Sequence, residues 1–144
     1  MERKGFWEWF LYALLVIWQL PQTLVGLIIL LFCPDRKVFE RGRFSTCFTA
    51  KNFGGGISLG PICVVRTSCS KNPAYVAHEL YGHTLQSRIL GPLYLLVIGL
   101  PSLFYVTVQK DRVKYNRFYT ERWANKIAGV TVTPWGSLVF KSRG

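Results

Sequence analysis

Two long apolar blocks, residues 5–33 and 91–108, are both interrupted by proline. A straight helix needs about 20 apolar residues to cross the hydrocarbon of a bilayer. In the first block the stretch QLPQ, Gln19 to Gln22, puts Pro21 where a helix would otherwise continue. Proline removes a backbone donor and kinks or ends a helix. The block therefore reads either as one kinked, tilted span or as two short helices in a shallow hairpin. In the second block, Gly91-Pro92 and Gly99-Leu100-Pro101 leave pieces of about six to eight residues. The expectation there is a hairpin at 91–108 that enters the membrane and returns.

Charge supports that topology. The net charge is +11, from 18 Lys and Arg against 7 Asp and Glu, in a chain that is 50% hydrophobic with mean hydropathy +0.22. A cationic excess calls for an anionic neighbour. So much apolar sequence favours a bilayer with an anionic lipid surface, and without a nucleic-acid motif no nucleic-acid partner is expected. Arg36, Lys37, Arg41, Arg43, Lys51, Arg66 and Lys71 precede the second apolar block. Lys110, Arg112, Lys114, Arg117, Arg122, Lys126, Lys141 and Arg143 follow it. Cationic loops stay on the cytoplasmic side. Both sets can do so only if the block between them returns, which places the protein in the cytoplasmic membrane. The start, Met1-Glu2-Arg3-Lys4, is basic enough for a secretion signal, but no small-residue cleavage site follows the apolar run. Residues 1–33 are read as a retained hydrophobic anchor, with Trp7, Trp9 and Trp18 at interfacial positions.

The remainder, 34–144, reads as one compact domain. Asn52 to Val65, NFGGGISLGPICVV, has the glycines and β-branched residues of a short β hairpin. Asn72 is a good N-cap and Pro73 a good first residue for a helix running to Leu90, where Gly91-Pro92 stops it. A second amphipathic helix spans Asp111 to Gly129, and the tail TVTPWGSLVF is strand-like. Gln86 and Arg88 are placed at the cytoplasmic interface. The four cysteines, Cys33, Cys47, Cys63 and Cys69, form no C-x-x-C pair, so free thiols are the default and a Cys63–Cys69 bridge needs an extracytoplasmic loop. The fold class is thus an α+β membrane protein, mainly helical, with two amphipathic helices separated by a hydrophobic hairpin.

Chemistry concentrates in HELYGH, His78 to His83, which holds both histidines of the chain. Two histidines one turn apart, with a glutamate beside the first, present two nitrogens and a base to one metal. That geometry needs i and i+4. His78 and His83 are i and i+5, about 140° apart on an ideal helix. One extra residue is what a π-bulge absorbs, and the bulge is expected around Leu80 to Gly82. The second route leaves the helix regular and uses Glu79 and His83, which are i and i+4. A relic without metal, or coincidence, are the remaining readings. Glu121, on the second amphipathic helix, is the downstream acid that could complete a site, or it pairs with Arg117 or Arg122 at the surface. Ala124 and Ala128 give that helix a small face for close approach. Asn125, one turn after Glu121, could accept a ring N–H.

HELYGH followed by TERWAN resembles the H-E-x-x-H … E-x-x-A-D pattern of gluzincin zinc peptidases, in the integral-membrane branch that includes the CAAX prenyl proteases. The resemblance covers roughly residues 54–129, with one residue inserted in the first motif and Asn125 where the family has Asp. It implies Zn held by His78, His83 and Glu121, Glu79 as catalytic base, and Asn125 behind the ligands. It also implies that an edge strand, Gly56, Ile57, Ser58, Leu59 and Gly60, holds substrate by backbone pairing. The activity implied is a membrane-associated metallopeptidase hydrolysing peptide bonds of a peptide or membrane-protein substrate near the membrane surface. A non-catalytic membrane protein keeping the helix pair as a scaffold or binding surface is the alternative.

Overall fold

Gln19, rather than Pro21, divides the first apolar block. The computed structural model describes residues 5–142; the basic start at Glu2, Arg3 and Lys4, and Arg143 in the tail, lie outside the described residues. Helix α1 (Phe6–Trp18) and α2 (Leu20–Leu31) meet at 91°. Pro21 falls in the first turn of α2, where its missing N–H is no loss. Helix α1 buries no residue, but α2 buries Gln22, Thr23, Gly26 and Leu30. Within the segment 1–33 expected as an anchor, α2 also packs against the body of the fold. Its glutamine explains the polar break in the block, since Gln22 Nε2 donates to Ser87 Oγ at 2.9 Å and to Gly91 O at 2.8 Å.

Residues 34–71 hold more strand than a single hairpin. Strands β1 (Lys37–Arg41), β2 (Thr46–Ala50), β3 (Gly56–Leu59) and β4 (Ile62–Arg66) form one sheet in the order β1-β2-β4-β3. The pair β2–β4 is parallel and the other two are antiparallel. Strand β1 is exposed along its whole length at one edge, so Lys37, Glu40 and Arg41 sit there in water. Their charge disguised the strand as loop. Gly60, expected in the substrate strand, lies instead in the β3–β4 turn at φ 64°.

Central strand β4 feeds two layers, because successive side chains of a strand point to opposite faces. Ile62 and Val64 pack with Leu30, Cys33 and Ala50 under α2. Cys63 and Val65 pack with Cys47, Val76 and Leu80 under the next helix. That helix, α3, runs through Pro73–Ala77, His78–His83 and Thr84–Leu90. Asn72 caps it, accepting from Ala74 N and Tyr75 N at 3.1 and 3.4 Å. All four cysteines are free; the nearest partner of Cys63 is the Cys47 sulfur at 3.5 Å, not Cys69.

The second apolar block is not a hairpin in itself. Residues Leu95–Gly99 and Leu100–Val108 form one helix, α4, bent by 118° from the preceding helix across the turn at Gly91–Leu93. Pro101 does not break it. The proline falls in the first turn of Leu100–Val108, where its missing N–H is no loss, and Val97 O in the preceding π-turn accepts from Tyr119 Oη at 2.5 Å.

The expected helix from Asp111 to Gly129 is two: α5 (Arg112–Asn116) and α6 (Tyr119–Ala128). Asp111 caps the first and Gly129, at φ 68°, ends the second. The break at Phe118 is tertiary in origin, its ring stacking on Tyr105 with centroids 4.2 Å apart. The tail forms a hairpin, β5 (Val130–Val132) with β6 (Leu138–Phe140). The fold is mixed α+β. Among the described residues no single helix is long and apolar enough to cross a membrane, while the bent pairs α1–α2 and α3–α4 together have that length and composition.

Candidate metal centre

The segment His78–His83 is a π-turn inside α3. The extra residue is absorbed there, and the two histidine rings come to 4.7 Å between centroids at 86°. The bulge expected around Leu80 to Gly82 is present, and the regular helix of the second route is not. His78 Nε2 lies 2.9 Å and His83 Nε2 3.2 Å from the same atom, Glu121 Oε2. Glu121 is 2% exposed and meets neither Arg117 nor Arg122 at a surface. Its other oxygen accepts from Ser102 Oγ at 2.6 Å and Thr120 Oγ1 at 3.3 Å. Burial would raise the Glu121 carboxyl, but the charge of His83 and the hydrogen bonds from both rings more than offset it. The group is held well below the usual carboxylate range.

Close approach of α6 to the π-turn depends on Gly82. A Cβ there would lie 2.7 Å from Ala124 O and 3.0 Å from Ala124 Cβ. Ala124 is the small contact expected, and Ala128 packs further along the same helix, beside Ala74 of α3 with Val130 and Leu138. Gly82→Ala should push the helices apart and destabilise the protein by ~1–3 kcal/mol, as overpacking does. Urea unfolding of the metal-free protein, with an unchanged m-value, would read that loss.

Glu79, also buried, meets the sheet edge. Ser58 Oγ lies 2.8 Å from both Glu79 Oε2 and the Glu79 backbone carbonyl. The second oxygen, Oε1, would be 2.8 Å from a Cβ at position 56, and the Tyr75 hydroxyl 2.6 Å, so only glycine leaves that carboxylate room. Strand β3 is an edge strand as expected. Its pairing alternates: Gly55 O accepts from Arg66 N at 2.6 Å, and Ile57 and Leu59 face β4 through their backbone. The backbone groups of Gly56 and Ser58 consequently point outward. One of them is taken, since Ser58 O accepts from Tyr94 Oη at 2.8 Å.

Ligand atoms of His78, Glu79 and His83 lie within 4.8 Å of one another, and this buried group could hold a metal ion. Glu121 touches both rings from the opposite helix. The bond expected from a histidine to Asn125 is not made: His78 Nδ1 and Asn125 Oδ1 both lack a hydrogen-bond partner, and Asn125 Nδ2 donates to Asn116 O at 3.4 Å. Two contributors, Ser102 and Gln86, and the side-chain role of Ser58, expected only in the substrate strand, were not foreseen. Ser58 and Ser102 are brought in by the sheet edge and by α4, which no local pattern announces. Gln86, expected at an interface, is instead fully buried against His83; its i+3 spacing from that histidine was the available signal. Compared with protein-family models, with curated proteins and with solved structures, the chain matches nothing in any of the three.

Proposed function

We propose that the chain is a membrane-associated zinc metallopeptidase of gluzincin-like chemistry, hydrolysing peptide bonds near the cytoplasmic membrane surface. The observation that carries this reading is the convergence of two histidine Nε2 atoms on one oxygen of Glu121, despite a spacing that a regular helix would splay. Two imidazoles and a carboxylate are a zinc donor set. Ligands about 2.0–2.1 Å from a tetrahedral ion sit about 3.4 Å from each other. The separations of 2.9 and 3.2 Å need open by only a few tenths of an ångström. His78, His83 and Glu121 would hold the ion, which when bound supplies Lewis acidity toward a water and a scissile carbonyl.

The chain's own residues do the rest. Glu79 takes the proton from the attacking water and returns it to the leaving amine. Ser58 Oγ–H orients Oε2 and leaves Oε1 toward the β3 edge. An extended substrate pairs with the outward backbone groups of Gly56 and the N–H of Ser58, which brings it past Glu79. Exposed Trp7, Ile17, Phe32, Leu96 and Phe104, on α1, after α2 and on α4, supply an apolar surface suited to lipid. The excess of cations suits anionic headgroups on the cytoplasmic side, and the substrate is a peptide or membrane protein reached there.

Elemental analysis of the purified protein tests the reading. One zinc per chain is expected, lost in His78→Ala and in His83→Ala. A folded wild type that takes up no zinc would leave the helix pair as a non-catalytic scaffold.

A further inference from the structure

Gln86 lies three residues after His83 on α3 and is 0% exposed. Both ends of its side chain are engaged. Nε2 donates to Thr120 O at 2.8 Å, and Oε1 lies 2.7 Å from His83 Nδ1. A backbone carbonyl only accepts, so the amide nitrogen must face Thr120 and the amide oxygen must face the ring. That oxygen also only accepts, so His83 Nδ1 carries a hydrogen. The ring is then obliged to present Nε2 toward Glu121. Thr120 immediately precedes Glu121, so one side chain ties the His83 ring to the backbone of the opposite helix at the acid itself. His78 has no such tether, its Nδ1 being without a partner.

We infer that Gln86 is the positioning residue of the centre: it keeps a hydrogen on His83 Nδ1, so that Nε2 is the nitrogen left to face Glu121 or an ion, and aims Nε2 at the point shared with His78 and Glu121. The lock follows from the hydrogen bonds alone; its consequence for affinity rests on the zinc reading above. Partners behind a ligating histidine fix its tautomer and orientation, and their loss typically lowers metal affinity about 10–100-fold.

Wild type, Gln86→Met and Gln86→Glu separate the possibilities. Neither variant can donate to Thr120 O as glutamine does, so both lose that bond. Glutamate still accepts from Nδ1–H and methionine does not. In the metal-free protein, nitrogen–proton correlation spectra should show a His83 Nδ1–H protected from water, present in wild type and Gln86→Glu and absent in Gln86→Met. Zinc titration should give Gln86→Met an affinity about 10–100-fold below wild type, and Gln86→Glu an affinity close to it. A purely structural role would weaken the fold of both variants equally and leave their zinc affinities alike. Equal affinity in wild type and Gln86→Met, or no protected Nδ1–H in the wild type, overturns the inference. A wild type that shows the protected proton but binds no zinc overturns the metal reading instead and leaves the lock standing.

Discussion

Glu79→Gln should bind zinc as tightly as wild type and hydrolyse peptide about 10²–10⁴-fold more slowly, the usual contribution of a positioned general base. The amide has the shape of the carboxylate. Its oxygen can still accept from Ser58 Oγ, which lies 2.8 Å from Glu79 Oε2. Its nitrogen takes the place of Oε1 beside Gly56. What the variant cannot do is take a proton from water. The loss should therefore fall on kcat, with KM little changed, because the backbone groups of Gly56 and Ser58 that would pair with substrate are untouched. Steady-state rates on a quenched fluorescent peptide, beside zinc titration, read both quantities. Wild-type kcat in the variant would remove Glu79 from the base's role. Loss of zinc together with activity would make Glu79 a ligand, which its place within 4.8 Å of both histidines makes a pointed alternative.

Local chemistry was legible in the sequence and long-range assembly was not. Asn72, Pro73 and Gly91 bounded α3 because caps and stops act through neighbouring backbone atoms. The π-turn was legible for a related reason: a five-residue spacing between the chain's two histidines is unusable on a regular helix, so any shared target demanded a distortion. Glu121 could be named from its position beside Ala124, a small residue on one helix face. Ser102 could not, because it reaches Glu121 from α4, and the sequence around it reads only as interrupted apolar helix. The proline rule misplaced two features. Pro21 looked like a breakpoint and sits harmlessly in a first turn, while Pro101 looked like a hairpin and sits in the first turn of Leu100–Val108, after a π-turn. Charge misled at β1, where edge exposure lets lysine and arginine occupy a strand. For Ser102 the deciding partner is distant in sequence, and for β1 it is the strand's place at the sheet edge.

Deleting Tyr81 should preserve both fold and zinc affinity, whereas deleting Leu80 should destabilise the protein by ~2–5 kcal/mol, the range for emptying a buried leucine site. Either deletion shortens HELYGH to a five-residue motif with its histidines at i and i+4. They differ in what they take from the core. Leu80 is 0% exposed and packs with Cys47, Cys63, Val65 and Val76 beneath the sheet. Tyr81 is 45% exposed, and its hydroxyl reaches only Glu40 Oε1, at 3.2 Å, on edge strand β1. A π-turn holds one residue more than the helix around it needs. Removing that residue lets the flanks keep their own registers: Leu80 stays under the sheet, Gly82 stays against Ala124, and His83 keeps Gln86 and Glu121. On a regular helix the same deletion would rotate everything beyond it by about 100°. His83 would then leave Glu121, and Gln86 would leave Thr120. Zinc titration and urea unfolding of the two deletions, side by side, decide between these outcomes. If the Tyr81 deletion loses zinc as completely as the Leu80 deletion loses stability, the turn is not a removable insertion, and the histidines converge for some reason other than the widened turn.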